Sequence, residues 1–277
     1  MSQRPEPWIV DPEDPRAPPL DIWEQLSSEQ RARIVDSLPS EFEASEAQPP
    51  EGDPHFNAKV SARKTLGRFF ERVGRRIYLA CELPVYYPAE RMFAPDVFAV
   101  TEVEPHERQR WVVADEGKGL DFALEIFVSG NRRKDHEDNV ERYARLGIRE
   151  YFIFDRGRMR LSGFRLSGPR ANRYEPIVPQ RGHYVSDVLG LELVLDGSRL
   201  RFYYGDAELP EAEELIAKLE GMLNHLESRL VEAEEAALRE ARLRQEEARL
   251  RQEETQRRQE AERRLAEALH ELEKLKR

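Results

Sequence analysis

Cysteine is almost absent from this sequence of 277 residues, in which Cys81 stands alone. A single cysteine excludes an intrachain disulfide and a cysteine-clustered zinc site, so we expect a reducing, cytoplasmic setting. Long apolar runs are also missing, since no window of about 18 residues is apolar throughout. The first residues lack the basic-then-apolar pattern of a signal peptide, and we therefore expect neither a membrane span nor secretion.

The chain is polar and its charge is unevenly distributed. Charged residues make up 35% of it, which is too polar for a single compact globule of this length. The net charge of −10 divides into −9 for residues 1–54, +4 for residues 55–206 and −5 for residues 207–277. The basic central part removes the objection that the overall charge raises against a nucleic-acid partner, without proving such a partner.

These three parts are the predicted domains. Residues 1–54 hold 10 of the 18 prolines and form an acidic N-terminal segment in which one helix fits, over Leu20–Leu38. Residues 55–206 show apolar spacing that changes from helical to alternating and back. The pattern predicts an α/β core in the order helix, three strands, helix, strand, followed by short strands at Met159–Leu166, Tyr174–Val178 and Leu200–Tyr204. The main elements are Phe56–Gly74, Ile77–Leu83, Val97–Val100, Phe122–Phe127, Asp135–Leu146 and Tyr151–Phe154.

Residues 207–277 are predicted to form one long helix, because they contain no proline after Pro210 and no glycine after Gly221. Leucines and a methionine form an apolar seam near its start, at Leu215, Leu219, Met222, Leu226 and Leu230. Its middle is instead rich in Glu–Arg pairs four residues apart, each worth about 0.2–0.5 kcal/mol. A coiled-coil dimer and a solvated single helix both remain open, and we favour self-association through the apolar ends.

Two carboxylates are candidates for chemistry. Asp96 follows a proline at the start of a strand, and Glu125 lies inside the apolar run Phe122–Phe127. A glutamate in such a strand is costly to bury unless it is paired or bound to a cation. Carboxylates on adjacent strands can share Mg²⁺, although a turn cap at Asp96 and an arginine partner for Glu125 would explain the same residues.

Four stretches follow one another along the central part of the chain, at Ala94–Val100, Gly117–Ile126, Arg132–Asp135 and Tyr143–Asp155. Together they resemble the Uma2 family, also catalogued as DUF820, a bacterial group of endonucleases in the PD-(D/E)XK superfamily. The resemblance covers roughly residues 50–205 and implies a restriction-endonuclease-like core that cuts DNA. It implies that Asp96 and Glu125 bind one Mg²⁺ or Mn²⁺, helped by the main-chain carbonyl of Ile126.

The sequence departs from the family pattern at the lysine. The superfamily position two residues after Glu125 holds Phe127, and the alternative position on the next helix holds Asn139. That lysine orients the attacking water and offsets charge on the phosphate. Lys134 or Lys118 would substitute if the loops bring either one in.

Three arginines are candidates for contact with the DNA backbone. Arg132 and Arg133 form a basic turn that can grip phosphate, although a solvated loop explains them equally well. Arg142 shares the helix face of Asn139 and can stabilise a phosphate, but it is a poor proton carrier.

Three hypotheses about function follow. The first is a metal-dependent DNA endonuclease, impaired if nothing replaces the lysine at Asn139. The second is an inactive relative that binds nucleic acid without cutting it. The third is an interaction protein whose long helix forms a homo-oligomer, with the α/β domain as a platform.

Overall fold

The computed structural model of the chain describes residues 8–41, 52–128 and 134–275, with side chains for all of these except 134–135 and 269–275. The chain divides into two compact units, Met1–Ala212 and Glu213–Arg277. The first unit is built around a large mixed sheet, and the second belongs to the helix α6 (Ala212–Leu275). No helix in the described part of the chain has the length and apolarity needed to cross a membrane.

The N-terminal segment contains two helices, α1 (Leu20–Gln25) and α2 (Ser28–Ser37), so the prediction of one continuous helix was wrong. Ser27 explains the break. Its side-chain oxygen accepts a hydrogen bond from the backbone amide of Gln30, and the Gln30 side chain accepts one from the Ser27 amide. This capping box starts a new helix at the position where a longer one would have continued.

The core order of helix, three strands, helix and strand is confirmed, and the fold is α/β with a long C-terminal helix. Small elements are inserted between the main strands. In chain order the elements are α3 (Gly52–Val73), β1 (Ile77–Ala80), β2 (Val85–Tyr86), β3 (Val97–Thr101), β4 (Trp111–Val112), α4 (Val113–Glu116), β5 (Phe122–Phe127), a π-helical turn (Lys134–Asp138), α5 (Asn139–Arg145) and β6 (Glu150–Asp155). The remaining strands are β7 (Arg160–Leu166), β8 (Tyr174–Pro176), β9 (His183–Ser186), β10 (Leu191–Asp196), β11 (Arg199–Tyr204) and β12 (Ala207–Glu208).

The large sheet has the strand order β1-β3-β5-β6-β7-β8, with β5 and β6 parallel and the other neighbours antiparallel. Alternation along β5 divides its side chains between two cores. Leu124 and its alternate neighbours pack with Leu66 and Phe70 of α3. Ala123 packs on the other face with Tyr143 of α5. Helices therefore cover both faces of the strand that carries Glu125.

A second sheet, ordered β12-β11-β10-β9, joins the α3 side of the core. Phe202 of β11 and Leu193 of β10 belong to the same buried cluster as Leu66. The sequence predicted only one strand here, over Leu200–Tyr204, because β9 and β10 mix buried with partly exposed positions and their period is weak.

Gly163 of β7 faces Phe152 of β6 in the sheet. A Cβ atom at this position would lie 2.7 Å from Cε1 of the Phe152 ring, closer than real contacts allow. We expect Gly163→Ala to lower the free energy of unfolding by about 1–3 kcal/mol, as overpacking in a tight core does. Urea unfolding followed by circular dichroism measures the change in the free energy of unfolding. Gly168→Ala, where nothing lies within 4 Å, is the control, and equal stability of both variants would contradict the prediction.

Candidate active site

The two predicted carboxylates lie side by side at one end of the large sheet. The antiparallel register pairs Val97 with Leu124, which places Asp96 next to Glu125. The backbone amide of Asp96 donates a hydrogen bond to Oε2 of Glu125 at 3.4 Å. Both residues are buried, with 9% and 8% of their surface exposed. Two carboxylates held this close in a buried place repel each other unless protons or cations offset their charge.

Ile126, whose carbonyl was expected to help bind the metal, is tied to the same cluster. Its backbone amide donates a 2.6 Å hydrogen bond to Oδ2 of Asp96. The bond fixes one carboxylate oxygen of Asp96 against strand β5. The strands themselves therefore set the orientation of the Asp96 side chain.

Helix α3 brings two basic side chains to the carboxylates. Nε2 of His55 lies 3.0 Å from Oδ2 of Asp96, and His55 is only 2% exposed. Lys59 follows one turn later on the same face and is 5% exposed. Its ammonium contacts the carboxylate of Glu82. The first turns of α3 thus form one wall of the site.

Glu82 lies just beyond β1 with an unusual backbone. Its φ of +49° is in the left-handed region that few residues other than glycine adopt. Its amide donates a 3.0 Å hydrogen bond to the carbonyl of Pro95, the residue before Asp96. Backbone of this kind is often found at functional sites, where the surrounding structure holds it.

His55, Glu82 and Asp96 form a group with the donor atoms that a metal ion needs. Their nearest ligand atoms all lie within 4.8 Å of one another. The set offers two carboxylate oxygens and one imidazole nitrogen, donors that divalent cations bind in proteins. This group therefore fits a divalent metal, and it shares Asp96 with the predicted ligand set of Asp96, Glu125 and Ile126 but does not include Glu125.

Helix α5 forms the opposite wall. The Tyr143 hydroxyl donates a 2.9 Å hydrogen bond to Oε1 of Glu125, so this buried core residue also holds a site carboxylate. Asn139, at the expected lysine position, is the first residue of α5 and is 5% exposed. The π-helical turn Lys134–Asp138 leads directly into it, and such turns often occur at functional sites.

The remaining candidate cations are placed differently. Arg142 contacts the carbonyl of Arg91, lies 3.2 Å from Glu90 and stacks over the ring of Phe93 at 4.6 Å. The guanidinium of Arg142 is therefore engaged by Arg91, Glu90 and Phe93 of the same domain.

Lys118 lies 3.1 Å from Asp121, the residue before β5, and donates hydrogen bonds to Thr101 at the end of β3. Glu125 is the fourth residue of β5. Arg132 and Arg133 lie outside the described residues, as does the side chain of Lys134.

Cys81 follows β1 and packs, partly buried, against the core cluster on the α3 side of the sheet. Burial raises the pKa of its thiol to about 12, although the positive charges of Arg63 and Lys59 act in the opposite direction. The thiol is therefore protonated at neutral pH, which does not suit a nucleophile.

The sequence predicted the two strand carboxylates but assigned no role in the site to His55, Lys59 or Glu82. A signal for α3 was present, because His55, Lys59, Ala62 and Leu66 share the face that packs on the sheet. A polar residue on such a face needs a reason to be buried. Glu82 gave no comparable signal, since its position depends on the bend after β1.

The described part of the chain thus combines an α/β fold with buried acidic side chains at one end of its large sheet. The sequence matches the profile of the Uma2 family, described as "Putative restriction endonuclease", over residues 43–198. This match spans more than half of the chain, so the chain belongs to the Uma2 family and the resemblance is confirmed. A solved structure described as "a putative nuclease belonging to DUF820", from Anabaena variabilis, is similar at 13% identity over 48% of this chain and 75% of that one, with a TM-score of 0.37. No curated protein matches the chain.

Proposed function

We propose that this chain is a cytoplasmic, divalent-metal-dependent endonuclease that hydrolyses phosphodiester bonds of DNA. Asp96 and Glu125 bind the metal, Mg²⁺ or Mn²⁺, with the main-chain carbonyl of Ile126. Water is the nucleophile. Membership in the Uma2 family supports the nuclease class, and the site geometry supports the metal.

The observation that carries the proposal is the packing of Asp96 against Glu125. Each is at least nine-tenths buried, and they share hydrogen bonds along adjacent strands. A structural salt bridge would place an arginine or lysine between them, as Lys118 is placed beside Asp121 elsewhere in the sheet. In the described part of the chain, the nearest basic group to Asp96 is instead a histidine, a common metal ligand.

The side chains around the pair have separate tasks. The Tyr143 hydroxyl and the Asp96 amide bond to the two oxygens of Glu125, and the Ile126 amide bonds to Oδ2 of Asp96, so the orientation of both carboxylates is set before a metal binds. When bound, the divalent ion would polarise the phosphate and lower the pKa of the attacking water.

Lys59 is our candidate for the task of the lysine expected at Asn139. Its ammonium lies against Glu82, whose carboxylate belongs to the donor group around Asp96. Burying an ammonium is costly, and its carboxylate partner is 52% exposed and gives little in return. A fixed positive charge beside the metal would instead stabilise charge that develops on the phosphate.

The test is cleavage of supercoiled plasmid by the purified full chain. We expect nicked and linear products with Mn²⁺ or Mg²⁺ and none with EDTA. Cleavage that persists in EDTA would contradict metal dependence, and no cleavage with either metal would favour the alternative below.

A catalytically inactive nuclease-fold protein that binds nucleic acid is the second candidate function. Asn139 and Phe127 favour it, because neither residue carries the charge of a lysine. Such a protein would bind DNA with an affinity that falls steeply with salt, without cutting it. If the wild type is inactive, Asn139→Lys should restore cleavage, provided that the metal ligands are intact.

Helix α6 supports a further part of the proposal, a homodimer formed through this helix. Apolar residues recur along it at alternating spacings of three and four, and each has half or more of its surface exposed. They are Ile216, Leu219, Leu223, Leu226 and Leu230. The spacing supports the seam of a two-stranded coiled coil, with Ile216 and Leu223 in place of the predicted Leu215 and Met222.

We expect the pair of substitutions Leu219→Lys and Leu226→Lys to convert the dimer into a monomer. Two charges in the seam would have to be buried without partners. Light scattering coupled to gel filtration measures the mass. The matched control, Ala217→Lys with Asn224→Lys, adds the same charge outside the seam and should remain dimeric. A monomeric wild type would refute the dimer.

A further inference from the structure

We propose that His55 is a nitrogen ligand of the metal site at Asp96, and that it makes this site select a transition-metal dication such as Mn²⁺ over Mg²⁺. The inference rests on the proposed function, because it concerns the same metal. It adds to the two strand carboxylates a ligand from helix α3, and it names the class of cation.

The spacing of the two donor atoms fits a shared ion as well as it fits the direct ion pair that they form in the structure. Nε2 of His55 and Oδ2 of Asp96 are 3.0 Å apart. Two ligands bound at about 2.1 Å on perpendicular axes of one ion lie about 3.0 Å from each other. The pair therefore has the separation of adjacent ligands before any side chain moves.

Burial divides the group into an inner and an outer part. The side chains of His55 and Asp96 are 2% and 12% exposed, whereas that of Glu82 is 52% exposed. His55 and Asp96 thus form the buried side of the group, and Glu82 lies at an edge open to solvent. Buried ligands with one open side are what a catalytic metal site needs, because water and substrate must reach the ion.

The types of ligand atom determine which metal ion the site prefers. Mg²⁺ is a hard ion that prefers oxygen ligands and dehydrates reluctantly, so an imidazole nitrogen is a poor ligand for it. Transition-metal dications accept imidazole more readily than Mg²⁺ does, and Mn²⁺ is the weakest binder of their series. Replacing oxygen by nitrogen at one of the few protein ligands should therefore shift the preference toward Mn²⁺.

The experiment titrates the full-length protein with Mn²⁺ and follows free Mn²⁺ by electron paramagnetic resonance, with Mg²⁺ as competitor. The variants are His55→Gln and, as matched control, His183→Gln. His183 pairs with Glu192 at 2.6 Å on the second sheet and has no part in the site. Glutamine at position 55 offers Mg²⁺ an amide oxygen and is close to histidine in length.

For the wild type we expect one Mn²⁺ bound in strong preference to Mg²⁺. His55→Gln should weaken Mn²⁺ binding about tenfold or more and leave Mg²⁺ binding within about threefold, so that selectivity falls. Nitrogen couplings in the pulsed spectrum of bound Mn²⁺ should disappear in this variant. His183→Gln should match the wild type in every respect.

Every other outcome contradicts either the role of His55 as a ligand or the metal dependence of the site. Unchanged selectivity in His55→Gln, or an equal loss of both metals, would show that His55 only positions Asp96. Absence of nitrogen couplings in the wild type would do the same. A wild type that binds neither metal would overturn the metal dependence of the proposed function itself, a result distinct from the failure of His55 as a ligand. Thermal unfolding of the variants verifies that they are folded.

Discussion

Asp96→Asn is expected to lower the rate of metal-dependent plasmid cleavage by about 10³-fold or more, equivalent to about 4 kcal/mol of transition-state stabilisation. The substitution removes the charge of the carboxylate that contacts His55 and the Ile126 amide. An asparagine oxygen can still accept the bond from that amide, so the fold should persist. Glu125→Gln should cause a comparable loss. The measurement is the initial rate of nicking at saturating Mn²⁺.

Asp121→Asn is the matched control for this prediction. Asp121 is also buried and precedes the same strand, but its carboxylate bonds to Thr101 and lies 3.1 Å from Lys118. We expect this variant to lose stability and to keep its cleavage rate. Equal activity of Asp96→Asn and the wild type would refute the assignment of the site.

Lys59→Met is expected to reduce cleavage by about 10²–10³-fold while Mn²⁺ affinity stays close to that of the wild type. The reason is that the ammonium acts on phosphate charge and does not bind the metal. Methionine fills much of the same buried space, so the packing of α3 is largely kept. Single-turnover cleavage together with Mn²⁺ titration separates the two effects.

Two further variants make the role of Lys59 testable against a purely structural one. Lys59→Arg should recover part of the rate, because it keeps the charge. Lys64→Met, on the exposed side of the same helix, should be neutral. If Lys59→Met lowered only stability and cleaved at the normal rate, Lys59 would be no more than a partner of Glu82.

Local patterns were sufficient for much of the fold. Alternation located β5 at Phe122–Phe127 with its correct bounds, and the change of period located β3 and β6 to within one residue at each end. The prediction of one N-terminal helix was wrong because the capping box of Ser27 and Gln30 starts a second helix there. The second sheet was largely missed because its strands depend on packing against α3 for their burial.

By itself the sequence determined the strand that carries Glu125, the position of Asp96 just before strand β3, and the family to which the chain belongs. These features are local, since they follow from alternation and short motifs read along one segment. Only the tertiary structure decided that His55 and Lys59 of α3 meet Asp96 and Glu82, and that Tyr143 holds Glu125. Contacts of that kind depend on how a helix packs across a sheet and on a single left-handed residue after β1, and no local periodicity encodes them.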